Sequence, residues 1–186
     1  MTLGEKMNFT VRAEESGDEA AIRKVLLAAF PSADEADLVD ALRENKSVWE
    51  PGTSFVAVSD TGEIIGQALL TRCWIDSAPA LALAPCAVVP KYQGQGVGSA
   101  VIEAALESAR RIAQADNSPQ CAIVLGHTEY YPRFGFEPAR SFGIRAPFEV
   151  PSEAFMALNL NPEFELPSGT VIYPAEFGIE IDDEDI

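Results

Sequence analysis

The sequence predicts an α/β fold, a mixed sheet flanked by helices, on three observations. A long amphipathic helix is entered from an apolar strand through a glycine-rich turn. A wholly apolar strand, Cys121–Leu125, follows that helix. Upstream, Asp60-Thr61-Gly62 joins two apolar runs as the turn of a hairpin. Strand, turn, helix and strand make a βαβ-like unit, and the hairpin adds mixed-sheet neighbours. A length of 186 residues fits one domain covering 1–186.

Residues 8–12 alternate weakly and are predicted as the opening strand. Ser16, Gly17 and Asp18 lead into AAIRKVLLAAF, whose Ile22, Val25, Leu26 and Ala29 share one helical face until Pro31 interrupts it. A second helix is expected over 33–44, with Leu38, Val39 and Leu42 inward. Residues 55–59 and 63–74 are the hairpin strands. The run LALAPCAVVP, 81–90, reads as a buried strand, and its interior Pro85 calls for a bulge or an edge position. Over 96–115, Val97, Val101, Ala104, Ala105, Ser108 and Ile112 form a small-residue apolar stripe, closed by Asn117-Ser118-Pro119. After Cys121–Leu125 a short helical or turn segment leads to Gly135-Phe136, and 155–160 alternates as one further strand. Beyond Pro162 the apolar positions are isolated. So short a piece cannot enclose a core alone, so it is expected to pack on the rest, with the acidic close IEIDDEDI solvated.

Hydrophobic residues make up 47% of the chain and charged residues 23%, a balance that can bury a core. Thirteen Lys plus Arg against 29 Asp plus Glu leave a formal charge of −16, which argues against a nucleic-acid partner held by its phosphates. Cys73, Cys86 and Cys121 contain no CxxC pair, and their odd number is a poor disulfide framework. The lone His127 excludes a metal site built on several histidines. The first residues lack a signal peptide's apolar run and no stretch approaches a membrane span, so no membrane partner and a cytoplasmic location are expected.

The informative stretch is VVPKYQGQGVGS, residues 88–99. Gly94, Gly96 and Gly98 alternate where an apolar strand meets the long helix. Without Cβ atoms they let the backbone turn tightly and present N–H groups to an anion. The first helical turn adds unpaired donors and the positive end of the helix dipole, so a phosphate or pyrophosphate is the natural ligand. The same glycines would also serve a tight turn and close helix packing alone. The turn is not a Walker A loop, since no Gly-Lys-Ser/Thr ends it. Nor is it a good dinucleotide fingerprint, since no acidic residue ends the next strand.

Here the sequence resembles a known family. Gln93-x-x-Gly96-x-Gly98 is similar to the pyrophosphate-binding motif of the GNAT superfamily of acyl-CoA-dependent N-acetyltransferases. Tyr130-Tyr131-Pro132-Arg133-Phe134-Gly135-Phe136 resembles its Tyr-x-x-x-Gly-Phe element. Together AVVPKYQGQGVG and LGHTEYYPRFGFEPA are similar in particular to the YhbS-like branch of predicted acetyltransferases. The resemblance covers a core of about 9–145, and 147–177 looks like that branch's tail, leaving 146–186 as a C-terminal extension. It implies a mixed, mostly antiparallel central sheet whose splayed central strands hold acetyl-CoA, with CoA as product.

It also implies roles for particular residues. Backbone N–H groups of Gln93, Gly94, Gln95, Gly96, Val97, Gly98 and Ser99 would receive the pyrophosphate. The backbone of Ala87, Val88 and Val89 would pair with the pantetheine arm, and the Val88 N–H would polarise the thioester carbonyl. Tyr131 would protonate the departing thiolate, Tyr130 would be a wall or packing residue, and Phe134 would pack near the cofactor arm. Such a transfer needs a fixed N–H for the oxyanion and a proton donor for the thiolate, and no metal.

The base is the weak link in the pattern, because residues 81–89 hold no carboxylate. His127 is the candidate base, with Glu129 an outsider and a surface or structural histidine the competing reading. Asp34, Glu35 and Asp37 would face the acceptor pocket or form a solvated face. Cys86 reads as a buried small hydrophobe, and Trp49 and Trp74 as core or dimer surface. Arg72 and Arg133 would meet an acidic acceptor or the adenosine phosphate, or neither.

The leading expectation is therefore an N-acetyltransferase acting on a primary amine of a small molecule or peptide, with the acidity favouring cationic acceptors. The alternative is a catalytically weak or inactive acyl-CoA-binding regulatory module. A third reading is a nucleotide-binding protein of another class. A homodimer is expected through Val171, Ile172, Tyr173 and Phe177, unless these cover the monomer's own sheet.

Overall fold

The computed structural model describes residues 7–179. In chain order its elements are β1 (Phe9–Ala13), α1 (Glu19–Ala29), α2 (Asp34–Glu44), β2 (Trp49–Ser59), β3 (Ile64–Ile75) and β4 (Ala78–Val88). These are followed by α3 (Val97–Ile112), β5 (Cys121–Leu125), β6 (Glu137–Pro138), β7 (Ile144–Arg145), β8 (Phe155–Asn159) and β9 (Gly169–Ile172). Strands β1 to β4 form an antiparallel meander, β5 lies parallel to β4, and β8 and β6 continue antiparallel beyond β5. The sheet is mixed, mostly antiparallel, and flanked by helices on both faces.

The alternation of side chains along each strand divides the core into layers. On one face Ile22, Val25, Leu26, Val39 and Leu42 from α1 and α2 pack on Val56, Leu69 and Ala87. On the other, Val97, Val101, Ile102, Ala105 and Leu106 of α3 pack on Ala57, Ile65, Leu70 and Leu81. Covered on both faces, β3 reads as a nearly continuous apolar run, as a central strand must.

Several boundaries differ from expectation for identifiable reasons. The buried face of α3 is Val97, Val101, Ile102, Ala105, Leu106 and Ala109, while Ala104, Ser108 and Ile112 lie at its flanks. The long side chains of Ile102 and Leu106 are drawn into the core, and the Ser108 hydroxyl instead donates to the Gly52 carbonyl at 2.6 Å. Strand β2 starts at Trp49, not 55. The Pro51-Gly52 pair looks like a turn but is taken up by an irregularity between Trp49↔Thr71 and Ser54↔Leu69, where the Thr53 hydroxyl donates to the carbonyls of Glu50 and Leu70. In α2, Ala36 joins Val39 and Leu42 inside, and Leu38 is half-buried.

The bulge called for by Pro85 is present. Ala68 pairs with Cys86 and Leu70 with Leu83, so Ala84 and Pro85 together oppose Leu69. The segment after 145 contributes to the sheet itself, because β8 lies between β5 and β6 and β9 pairs with β3 and β7. Val171 is fully buried, and Tyr173 stacks on Phe148 with ring centroids 6.1 Å apart and packs on Phe177 at 5.0 Å. These residues cover the chain's own sheet, and Ile172 alone of the set considered for a dimer face is exposed, at 41%. Residues 180–186 of the acidic close lie outside the described residues. Among the described residues no helix is long and apolar enough to cross a membrane.

Candidate active site

The sheet opens at its parallel centre. Strands β4 and β5 pair only at Leu81↔Ala122 and Ala82↔Ile123, and the bulge at Ala84 and Pro85 follows immediately. Beyond it β4 runs on to Val88 bonded to β3 alone, with its other edge facing a gap. The Val89 N–H donates to the Ile65 carbonyl at 2.9 Å. By strand alternation the polar groups of Val88 therefore face away from β3, toward the gap. The Val88 carbonyl on that side accepts from Gln93 Nε2 at 3.1 Å. Of Ala87, Val88 and Val89, it is Val88 whose N–H is directed at the gap, whereas the Val89 N–H belongs to the β3 ladder.

The glycine turn lies at the mouth of this gap. After a 3₁₀ turn over Pro90–Tyr92, Gly94 at φ 72° and Gly96 at φ 84° bring the chain into α3. Both angles lie in the left-handed region that favours glycine. No side chain caps α3, and Ala100 is the first residue whose N–H bonds back, to the Gly96 carbonyl at 3.1 Å. The Gln93 and Gln95 amides turn back onto the Val88 and Lys91 carbonyls. A Cβ on Gly94 or Gly96 would meet nothing within 4 Å. Uncapped N–H groups, a helix dipole and open space above them fit a diphosphate.

Gly98 and Gly126 serve close approach instead. A Cβ on Gly98 would stand 3.3 Å from Tyr130 Oη and 3.5 Å from Val88 Cγ2. A Cβ on Gly126, just past β5, would overlap the Tyr131 ring. That ring is also held edge-on by Phe136 at 5.9 Å and Tyr130 at 5.2 Å. From the β5 side it reaches across, its hydroxyl close to the Cys86 thiol on β4. Burial, then the neighbouring Cys86, holds the Tyr131 pKa above the ordinary tyrosine value. Burial likewise pushes the Cys86 thiol up to about 12, so it stays protonated and is no nucleophile.

Phe134 is buried in the layer under α3 and packs on Tyr130 at 5.4 Å. Tyr130 hydrogen-bonds to Ser99 across the gap, hydroxyl to hydroxyl at 3.1 Å. His127 and Glu129 are exposed, and the visible task of His127 is backbone: its carbonyl accepts from the N–H groups of Tyr130 and Tyr131. Arg133 stacks on the Tyr130 ring at 4.3 Å and donates to the Tyr130 carbonyl. Arg72 is paired with Glu50 at 2.6 Å. Asp34, Glu35 and Asp37 line a groove with Leu38, Glu176 and Phe177, and Asp37 is paired with Arg23. Trp49 lies under the Arg43 guanidinium, and both tryptophans pack against the layer of α1 and α2.

Three contributions escaped the sequence reading. These are the Gln93 side chain on Val88, the bare surface of Gly126 under Tyr131, and the Ser99–Tyr130 bridge. Only Gly126 left a trace, as a glycine directly after an apolar strand.

A mixed sheet splayed beside an uncapped glycine turn, with a tyrosine reaching over the gap, defines the class of acyl-CoA-dependent N-acyltransferases. The profile of the acetyltransferase (GNAT) family matches residues 20–136. The chain is 40% identical over 151 residues to the uncharacterized N-acetyltransferase YjhQ of Escherichia coli K12, covering 78% of this chain and 80% of that protein. It is similar in structure to the GNAT family N-acetyltransferase YhbS of Escherichia coli in complex with CoA, with a TM-score of 0.83, 27% identity and 93% of each chain covered. A GNAT family acetyltransferase from Brucella melitensis in complex with acetyl-CoA aligns with a TM-score of 0.70 and 29% identity over 92% of this chain and 99% of that one. The chain belongs to the acetyltransferase (GNAT) family, on its YhbS-like branch, and is an acyl-CoA-dependent N-acetyltransferase with acetyl-CoA as donor.

Proposed function

We propose that the protein moves the acetyl group of acetyl-CoA to a primary amine of a small molecule or peptide, by direct attack in a ternary complex. The observation that carries this reading is the position of Tyr131. Its hydroxyl meets Cys86, two residues along β4 from Val88, whose N–H is directed into the same gap. A proton donor and a fixed N–H at one short stretch of strand are what a thioester needs, one for the sulfur and one for the carbonyl oxygen.

In this reading the N–H groups of Gly94, Gln95, Gly96, Val97, Gly98 and Ser99 hold the pyrophosphate, whereas that of Gln93, expected to join them, is given to the Pro90 carbonyl at 3.2 Å. Val88, with Ala87 and Val89 behind it, and Phe134 line the arm. The Val88 N–H donates to the thioester carbonyl oxygen. Tyr131, protonated throughout the neutral range as a tyrosine is and held so by burial, donates to the departing sulfur. The ammonium of the acceptor must first lose a proton, to His127 at the end of β5 or to water.

Calorimetric titration with acetyl-CoA, CoA and NAD tests the donor site. Wild type is expected to bind both CoA forms and not NAD, and Gly96→Trp, which fills the open space over the turn, is expected to bind neither. Thiol release with an amine panel then tests transfer, with Tyr131→Phe as the control for the acid. A folded wild-type protein that binds no CoA form overturns the reading. CoA binding with no turnover of any amine would assign the regulatory module instead.

A further inference from the structure

Among the described residues no ladder joins β4 to β5 beyond Ala82 and Ile123, so side chains must set the width of the gap. Tyr130 spans it. Its backbone belongs to the segment after β5, where its N–H donates to the His127 carbonyl at 3.1 Å and its carbonyl accepts from Arg133 Nε at 2.9 Å. Its hydroxyl reaches the far wall, 3.1 Å from Ser99 Oγ in the first turn of α3. A Cβ on Gly98 would stand 3.3 Å from that hydroxyl and 3.5 Å from Val88 Cγ2, so Tyr130, the turn and the end of β4 converge at one place. Val88, Tyr130 and Tyr131 all pack on the layer under α3.

The ring of Tyr130 is fixed on three sides. Tyr131 packs on it edge-on with centroids 5.2 Å apart, Phe134 does so at 5.4 Å, and the Arg133 guanidinium lies 4.3 Å from its centroid. None of these contacts needs a hydroxyl; the hydroxyl serves the link to Ser99. The glycine turn and Tyr131 lie on different walls of the gap. A proton donor must come within hydrogen-bond range of the sulfur, and about 1 Å of misplacement can cost about 10²-fold in rate. The two walls therefore have to be held at one distance. Among the described residues the Ser99–Tyr130 pair is the side-chain hydrogen bond that joins them.

We propose that Tyr130 is a positioning residue for the transfer, a spacer across the gap that holds Tyr131 at a fixed distance from the turn that seats the diphosphate. The proposal rests on the reading of Tyr131 as proton donor to the sulfur. Tyr130 acts through others: its ring bears on the Tyr131 ring, and its hydroxyl on Ser99.

The test is the ionisation of the CoA thiol on the protein, read by thiolate absorbance as the difference between saturated CoA and desulfo-CoA complexes from about pH 7 to 10. Burial holds Cys86 and Cys121 up at about 12 and Cys73 well above 9.0, so the protein's own thiols stay silent over that range. A hydrogen bond donated by Tyr131 favours the thiolate, so in Tyr131→Phe bound CoA is expected to ionise about one pH unit higher. Tyr130→Phe and Ser99→Ala, which remove the same bond, are each expected to lower its ionisation constant about threefold, and Tyr130→Phe to add nothing to Tyr131→Phe. A wild-type value in Tyr130→Phe or in Ser99→Ala overturns the proposal, as does a double variant that exceeds Tyr131→Phe. A wild-type value in Tyr131→Phe overturns the proton-donor reading and the proposal with it, whereas a shift in Tyr131→Phe alone leaves that reading standing without Tyr130.

Discussion

The hydroxyls of Ser99 and Tyr130 lie 3.1 Å apart and tie the first turn of α3 to the segment that follows β5. These two elements stand on opposite sides of the gap in the sheet, and no backbone ladder joins them there. One side-chain hydrogen bond, together with the packing of Tyr130 on Phe134, bridges what the strands leave open.

Ser99→Ala and Tyr130→Phe are therefore expected to be non-additive. Each single variant should lose about 1 kcal/mol in urea unfolding, and the double variant little more than either, since the second change removes a bond already lost. Strict additivity would mean that the two hydroxyls do not interact in solution.

Tyr131→Phe is expected to lower kcat for thiol release by about 10²- to 10⁴-fold, the usual contribution of a positioned proton donor, with acetyl-CoA binding retained. Gly126→Ala should reproduce that loss without touching the hydroxyl, because the new methyl group occupies the space of the Tyr131 ring. It should also lower stability by about 1–3 kcal/mol, as overpacking does. Full activity in Gly126→Ala would contradict the assigned ring position.

The two glycines of the turn region should respond oppositely to alanine. At Gly96, φ 84° strains any L side chain although nothing stands near its Cβ, so Gly96→Ala should cost about 1 kcal/mol by thermal unfolding. Gly98 is helical, and Gly98→Ala should recover about that amount in helix propensity, set against its 3.3 Å approach to Tyr130 Oη. Equal destabilisation by both would remove the distinction between a conformational and a packing glycine.

Buried thiols set the alkaline limit of stability. Burial raises Cys121 from 9.0 to about 12 and Cys73 well above 9.0. A pKa raised by folding means that the unfolded chain loses its proton first. The stabilisation is thus complete below the unfolded value of about 9 and declines above it by about 1.4 kcal/mol per pH unit for each thiol, toward the folded value. Urea midpoints are expected to be flat up to about pH 9 and to fall beyond it, with a shallower fall in Cys121→Ala. An unchanged slope in that variant would show that Cys121 is not the titrating group.

Much of the fold could be read from local patterns because each pattern has one physical solution. Ile22, Val25 and Leu26 on one face require a helix against a sheet, and the nearly continuous apolar run through Ile65, Leu69 and Leu70, broken by Gln67, fits a strand covered twice. Pro85 cannot donate to a ladder, and a bulge at Ala84 and Pro85 is what its position produced. Strand β9 had no such signature. It is four residues long and exists because β3 outruns β2, leaving Trp74 and Ile75 to pair with Ile172 and Val171.

The chain alone specified the glycine turn, the tyrosine pair and the family chemistry, because positive-φ glycines and a helix start are local requirements written in consecutive residues. Three-dimensional folding decided which of those groups meet. That Val88 and not Val89 directs its N–H into the gap follows from the register of β4 on β3. That Tyr131 meets Cys86, 45 positions earlier in the chain, follows from where the sheet splays. Register and splay come from side chains far apart in sequence packing against one another, and no local pattern encodes them.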